Sequence, residues 1–236
     1  MEYSTNIHDE RKGSLLNSDG DAVHYFRVSN SFRPADPNRY HQAIALFDEA
    51  NAQDPNSCVI NGQSRPRELV YAQWLSDWVT RLAPNASEEL RLAARSQHLR
   101  RWQLPRAAYP MDRHGYLRWR EELRRFHAQG AGEILQEAGY SVAVISRVQA
   151  LNLKKGFPKD PETRILEDAL CLVFLEHQFE GLTAKTTTDR IINALQKAWK
   201  KMSPKAQEIA LSLPYPRHLL DLIHRAGLTP QPPPQP

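Results

Sequence analysis

Residues 160–176 read DPETRILEDALCLVFLE, and this stretch decides the fold of the chain. Asp160 is a favoured N-cap residue, and Pro161 suits the first helical position because its missing N–H would have no partner there anyway. The apolar residues that follow recur at helical spacing, which predicts one strongly hydrophobic helix over 162–179. A helix this apolar belongs in the centre of a core, so the stretch favours a helical architecture around it.

The same spacing continues on both sides of this stretch. Asn85 and Glu88 have the spacing of a capping box and open a helix that Pro105 limits. The first predicted helix starts at 36–37. The others run over 66–82, from 85 toward 105, over 115–128, 131–138, 141–155, 162–179 and 186–201, and from 203 onward. No segment alternates convincingly as a strand would, so the fold class is predicted to be all-α.

The length and composition fit one helical domain without membrane spans. The 236 residues carry a net charge of +4, and 41% of them are apolar, which is enough for one sizeable core. No apolar run reaches the roughly 20 residues that cross a bilayer, and the first residues lack a secretory signal. Cys58 and Cys171 cannot build a disulfide framework or a cysteine zinc site. We therefore expect a cytoplasmic protein with a flexible arm over 1–34, a single helical domain over 35–226 and a disordered Pro/Gln tail over 227–236.

Polar residues on otherwise apolar helix faces are the feature that points to a functional site. Burying an unpaired charge is costly, so such a residue needs a partner or a ligand. Five predicted helices carry one, which suggests a shared polar pocket. The residues are Glu68; Gln97, His98 and Arg101; Arg120 and His127; Asn152 and Lys155; and Glu167 and Asp168. The alternative is a buried structural network, in which Asp168 pairs with Lys155 and Glu68 with Arg101.

Arginine is concentrated in residues 91–125, where ten arginines face three acids and four aromatic residues are interleaved. Arginine binds phosphate and carboxylate groups through paired hydrogen bonds, which favours an anionic ligand. The residues expected to hold it are Arg101, Arg106, Arg113 and Arg120, with Gln97 and Lys155 beside them. The remaining arginines are predicted to lie on a solvated face, paired with neighbouring acids; they are Arg91, Arg95, Arg118, Arg124 and Arg125.

Five segments resemble the family described as domain of unknown function 4202. They are RPRELVYAQWLSDWV (65–79), AARSQHLRRWQLPRAAYPMDRHGYLRWREELRRFHA (93–128), EAGY (137–140), LEDALCLVFLEHQF (166–179) and KAWKKMS (197–203). The resemblance covers about residues 38–212 and by itself implies no activity. Family members also carry the label glutamyl-tRNA synthetase. We do not adopt this label, because Lys201-Met202-Ser203 matches only part of the KMSKS loop and no nucleotide-binding sheet is predicted.

The order of elements also resembles the HD superfamily of His-Asp metal phosphohydrolases. In that pattern one helix brings a His, the next an adjacent His-Asp pair, a later helix another His, and a closing apolar helix an Asp. The resemblance implies that four residues hold a divalent Mn, Fe or Zn ion or act as acid–base groups. They are Glu68, His98, His127 and Asp168. The alternative is that Lys155, which stands where a further His is often found, replaces the positive charge of the metal.

Three functions stay open from the sequence. The first is a divergent metal-dependent hydrolase of a small phosphorylated or nucleotide substrate, with an HD-type oxygenase as a variant if the metal is iron. The second is a non-catalytic relative that keeps the pocket and binds a nucleotide or another anionic ligand. The third is an RNA-binding protein that uses the arginine and aromatic segment, although the charge is modest and no RNA-binding module is recognisable.

Overall fold

Ten α-helices make up most of residues 32–228, the part of the chain that this computed structural model describes. Their bounds are α1 Pro37–Ala52, α2 Arg67–Leu82, α3 Glu88–Ser96, α4 Arg113–Glu137, α5 Val142–Asn152, α6 Pro161–Val173, α7 Phe179–Thr183, α8 Thr188–Trp199, α9 Pro204–Leu211 and α10 Arg217–Arg225. A π-helical turn over Phe174–Gln178 joins α6 to α7, and two short 3-10 turns follow α3. The predicted all-α class is confirmed.

One hairpin interrupts the helices, and the sequence prediction missed it. Its strands, β1 Ser57–Ile60 and β2 Gln63–Pro66, pair in antiparallel register. Asn61 and Gly62 form the turn, with positive φ angles of 50° and 77°, a conformation that favours Asn-Gly in two-residue hairpins. The strands are short and largely exposed, so their sequences show little alternation of apolar and polar residues. The Asn-Gly pair was the sequence signal that could have predicted the hairpin.

The core lies where α2, α3, α5 and α6 pack against one another, with α4 covering α5. Its largest fully buried side chains include Phe47, Trp78, Leu90, Leu151 and Leu172. Removing this apolar surface from water is the main favourable term in folding. The hydrophobic helix predicted over 162–179 lies in this core as α6 and the start of α7, with the π-helical turn between them.

Side-chain caps fix where several helices start. Four predicted caps each accept a hydrogen bond from the backbone N–H three residues further on. They are Asp36, Ser141, Asp160 and Ser203. The predicted cap of α3 is wrong by two residues, because Ser87, not Asn85, accepts the N–H of Leu90 at 3.0 Å.

α4 is one helix of 25 residues, where the sequence predicted two. The predicted break lies at Gln129-Gly130, but α4 continues through it and through Gly132. A Cβ atom at Gly132 would come within 2.4 Å of Nε2 of Gln149 on α5. This glycine therefore leaves room for the Gln149 side chain, whose amide donates to the carbonyl oxygen of Ala128 at 3.1 Å, rather than ending a helix.

Two helices end earlier than predicted, and both ends shape the candidate site. α3 ends at Ser96, and Arg100 then takes a left-handed conformation with a φ of 50°. α5 ends at Asn152, and Lys154 takes a left-handed conformation with a φ of 58°. The residues beyond each end therefore lie in turns and not on the helix faces that their spacing suggested.

The predicted arm and tail fall almost wholly outside the described residues. Of the arm over 1–34 the structure describes only 32–34, and of the tail over 227–236 only 227–228. Within residues 32–228, every helix is too short or too polar to cross a membrane.

Candidate functional site

His98 lies in the turn after α3 and is the centre of the candidate site. Its imidazole stacks on Tyr71 of α2, with ring centroids 4.0 Å apart and an interplanar angle of 12°. Its Nδ1 lies 3.3 Å from Oε2 of Glu68, without the alignment of a hydrogen bond. The side chain keeps 21% of its surface exposed, so the ring is held in place and still accessible.

Glu68 is buried in the first turn of α2, beside the imidazole. Its backbone N–H donates to Oδ2 of Asp54 at 3.0 Å. Its Oε1 lies 3.8 Å from Nε of Arg101, the pairing that the alternative of a buried structural network predicted. Burial raises the pKa of Glu68 to about 7, although the charge of Arg101 opposes this shift. Near neutral pH this carboxyl can therefore both hold and release a proton.

Two arginines approach His98 from the loop after α3 and from α4. The guanidinium of Arg101 lies 4.9 Å from the centroid of the Trp119 ring. Burial lowers the pKa of Arg101, Glu68 opposes this shift, and the like charge of Arg120 adds to it. Arg120 donates to the Tyr116 hydroxyl at 3.5 Å, and no carboxylate among residues 32–228 lies within ion-pair distance of it. The two guanidinium groups are thus close enough to repel each other, and an anion near both would relieve this repulsion.

Lys154, not the predicted Lys155, supplies the lysine of the site. Its ammonium pairs with Glu167 of α6, and its side chain is 16% exposed. Lys155 is exposed and lines a separate surface cavity of about 310 Å³ between α4 and α5. The sequence predicted that the helix of α5 continues to Lys155, whereas the chain leaves that helix at Asn152 and Lys155 lies exposed beyond it.

Three cations act on the imidazole of His98. Burial lowers the pKa of His98 well below its ordinary value, and Arg101, Lys154 and Arg120 lower it further. Contacts bring these side chains to one region: the amide of Asn152, two residues before Lys154, donates to the Ser96 hydroxyl at 3.0 Å, and Arg101 lies over the ring of Trp119, the neighbour of Arg120. The region brings together Glu68, His98, Arg101, Arg120, His127 and Lys154, which we call the His98 cluster.

Carboxylates neutralise the positive charge of the His98 cluster only in part. Glu68 lies against both His98 and Arg101. Glu167 pairs with Lys154, and its second oxygen lies 3.9 Å from Nζ of Lys201. The guanidinium of Arg120 on α4 has no such partner among the described residues, so the region carries a net positive charge.

His127 of α4 is buried next to His98, with ring centroids 5.8 Å apart. Its Nδ1 lies 2.7 Å from the carbonyl oxygen of Leu99, so the proton of the neutral ring resides on Nδ1 and is donated there. Burial lowers the pKa of His127, and the neighbouring His98 adds to the shift. Nε2 is buried without a hydrogen-bond partner in the described part of the chain, and it is an acceptor for a ligand hydroxyl or a water.

Asp168, one of the four predicted catalytic residues, lies elsewhere. Its carboxylate accepts the backbone N–H of Ser203 at 2.8 Å and the Ser203 hydroxyl at 2.6 Å, so it holds the start of α9. It does not pair with the exposed Lys155. Glu167, its neighbour on α6, faces the site lysine instead. Helical periodicity predicted that this part of α6 faces the site, but it did not distinguish which of the two adjacent acids reaches the cluster.

The other predicted ligand residues take structural or exposed positions. Arg106 donates to the carbonyl oxygens of Tyr109 and Pro110 at 3.0 and 2.7 Å, which holds the loop before α4. Arg113 is exposed at the first residue of α4. Gln97 is buried, and its Oε1 has no hydrogen-bond partner within residues 32–228.

Three of the five arginines expected on a solvated, paired face lie there, whereas the paired Arg95 is only 13% exposed. The pairs are Arg95 with Asp48, Arg118 with Glu122, and Arg124 and Arg125 with Glu121. Arg91 differs from the prediction, because it is buried and donates to the carbonyl oxygens of Pro84 and Ala86. Most of the arginine density therefore serves contacts within the chain.

The donor set of this region does not fit a divalent metal. Among residues 32–228, no three His, Cys, Asp or Glu side chains are placed to share an ion. Of the four predicted ligands, Asp168 is bonded to Ser203 and Glu68 lies against Arg101. The cations around His98 would also repel a divalent ion. We therefore derive no chemical step through the Mn, Fe or Zn ion that the sequence suggested.

Comparisons with known proteins identify the family of the chain. No curated protein and no solved structure matches it, so the resemblance to the HD superfamily stays a prediction. The family model described as domain of unknown function (DUF4202) matches residues 41–223. This match contains every residue of the His98 cluster and confirms the resemblance found in the sequence. The chain belongs to the DUF4202 family.

Proposed function

We propose that the His98 cluster binds a small phosphorylated ligand. The observation that supports this is Arg120, which acts on Arg101 and Lys154 as a like charge and has no carboxylate partner among the described residues. Partly buried cations without compensation are unfavourable, and an anion that contacts them removes the penalty. Guanidinium groups match the oxygen geometry of phosphate, and an ammonium adds a compact charge.

Hydrolysis of a phosphoester is the reaction that we propose for the cluster. Water attacks phosphorus, His98 takes the proton of the water, and the ester P–O bond breaks. The leaving oxygen keeps the electron pair of that bond and is protonated from solvent. The depressed pKa of His98 keeps its ring neutral at pH 7, and the adjacent Glu68 carboxyl offsets the resulting loss of basicity when the ring takes the proton. Glu68, 3.3 Å from Nδ1, then stabilises the imidazolium, while the arginines offset the charge on the phosphoryl oxygens.

Binding without catalysis is the second candidate function. It is favoured by Asp168, the acid expected to complete the metal set, which is bonded to Ser203 instead. The cluster then keeps cations that hold a ligand but lacks the ion that activates water in the superfamily it resembles. This candidate predicts affinity for phosphate without turnover of any phosphoester.

Arg120→Gln is expected to weaken the binding of inorganic phosphate by about tenfold or more, since a charge-assisted hydrogen bond is worth about 1.5–3 kcal/mol. Calorimetric titration of phosphate into the full chain measures the dissociation constant. Arg118→Gln is the matched control, because Arg118 lies on the same helix, is 66% exposed and pairs with Glu122. The control is expected to bind within about twofold of the wild type.

Two results would contradict the proposed function. One is equal phosphate affinity in the wild type and both variants. The other is a wild type that binds no phosphate with or without added metal.

A further inference from the structure

Lys154 is held in a backbone conformation that an L-residue rarely adopts. Its φ of 58° lies in the left-handed region, where Cβ crowds the following carbonyl oxygen. This conformation caps the C-terminus of α5, where the backbone N–H of Lys155 donates to the carbonyl oxygen of Ala150 at 2.9 Å. The ends of α5 and α3 meet, because the side-chain amide of Asn152 donates to the Ser96 hydroxyl at 3.0 Å, and the Lys154 side chain beyond this contact is only 16% exposed.

The carboxylate that supports Lys154 is shared between two ammonium groups. Glu167 is 4% exposed and pairs with Lys154 through Oε1. Its Oε2 lies 3.9 Å from Nζ of Lys201, which follows α8. One carboxylate cannot neutralise both lysines, so positive charge remains on this group for an anionic ligand.

We infer that Lys154, together with Arg101 and Arg120, takes the place of a divalent metal, so that the site binds phosphate dianions without one. The inference rests on the proposed function, because it specifies how the same site holds its ligand. It also narrows the ligand class. Phosphate monoesters, with two negative charges, gain more attraction from three cations than singly charged phosphate diesters do.

The same three charges act in opposite directions on a metal and on a phosphate group. A divalent cation near His98 would be repelled by all three, and within residues 32–228 Glu68 is the carboxylate that lies against the imidazole to offset this. A phosphate dianion in that position is attracted by all three. The charge distribution therefore favours the anion.

Lys154→Asn tests the inference, with Lys155→Asn as the matched control. Asparagine visits the left-handed conformation readily, and Lys201 remains near Glu167, so the first variant removes charge with little disturbance of the backbone. Calorimetry uses the full chain, purified with EDTA, and inorganic phosphate as the probe. We expect Lys154→Asn to bind phosphate about tenfold more weakly or worse, and Lys155→Asn to bind within about twofold of the wild type.

Three further measurements keep the test decisive if Lys154→Asn fails to fold. Lys154→Arg keeps the charge and is expected to retain most of the affinity. The wild type in EDTA is expected to bind phosphate as tightly as after addition of Mn²⁺, Fe²⁺ or Zn²⁺. Dimethyl phosphate, with a single charge, is expected to bind about tenfold more weakly than phosphate.

The outcomes separate the inference from the proposed function. Phosphate binding that arises only after a metal is added would overturn the inference and leave the phosphate site standing. Equal affinity in folded Lys154→Asn and the wild type would also overturn it. No binding with or without metal would overturn both.

Discussion

His98→Gln is expected to lower the rate of phosphomonoester hydrolysis by about 10²- to 10⁴-fold, the usual loss when a general acid–base group is removed. The imidazole is fixed by its stack on Tyr71, and its Nδ1 lies 3.3 Å from Oε2 of Glu68. This carboxylate can therefore stabilise the positive charge that the imidazole gains when it takes up a proton. Glutamine has similar volume and cannot take up a proton. The measurement is kcat with p-nitrophenyl phosphate, at a pH where the wild type is folded.

His114→Gln is the control for this prediction, because His114 is exposed near the start of the same α4 that carries His127. The control should keep kcat within about twofold of the wild type. A wild type that binds phosphate but turns over no monoester would reject the hydrolase and favour binding alone. Full activity in His98→Gln would place the general base elsewhere.

The pH dependence of stability is expected to differ between the wild type and Glu68→Gln. The pKa of Glu68 rises from 4.5 in the unfolded chain to about 7 in the fold. Between these values the folded state binds more protons than the unfolded state, so the contribution of Glu68 to stability falls as pH rises. Each pKa unit is worth about 1.4 kcal/mol, so from pH 5 to 8 the wild type should lose about 2–3 kcal/mol relative to Glu68→Gln.

Chemical denaturation at several pH values measures this difference. Glu133→Gln is the control, since Glu133 is exposed on α4 and accepts a hydrogen bond from Gln129 one turn away. Parallel stability curves for the wild type and Glu68→Gln would show that the carboxyl titrates normally and is not buried as described.

Sulfate, whose charge is constant over this range, should also bind the wild type more weakly as pH rises, because ionised Glu68 competes for Arg101.

The starts of the helices were predictable because capping is local. Asp36, Asp160 and Ser203 each bond an N–H three residues away, so the signal lies within one turn. The end of α3 was not predictable in this way. The N–H of Arg100 donates to the side chain of Asn51 on α1 at 2.9 Å, a contact 49 residues away that local spacing does not reveal.

Most of the candidate site was predictable from polar residues that interrupt apolar helix faces. Glu68, His98 and His127 were chosen in this way, and the structure brings them together with two of the predicted arginines. Lys155 and Asp168 each stand one residue away from the side chains that form the Lys154–Glu167 pair, and Arg106 and Arg113 lie outside the cluster. One residue is about 100° of rotation on a helix, so spacing alone does not decide which of two adjacent side chains faces a neighbouring element.

The packing partner of His98 had no signal in the sequence. Tyr71 lies among apolar residues of α2 and reads as an ordinary core residue. Its role in fixing the imidazole depends on how α2 and the turn after α3 approach each other, which is a property of the tertiary structure.

The most direct test of the phosphate site is an NMR titration of inorganic phosphate into the full chain labelled with ¹⁵N in its nine histidines. Single His→Gln variants assign the ring signals. The proposed site predicts saturable shifts of the His98 and His127 ring nitrogens, with no shift at the exposed His114 and His218. Saturable shifts at other histidines only, or the absence of any shift, would contradict a phosphate site at the His98 cluster.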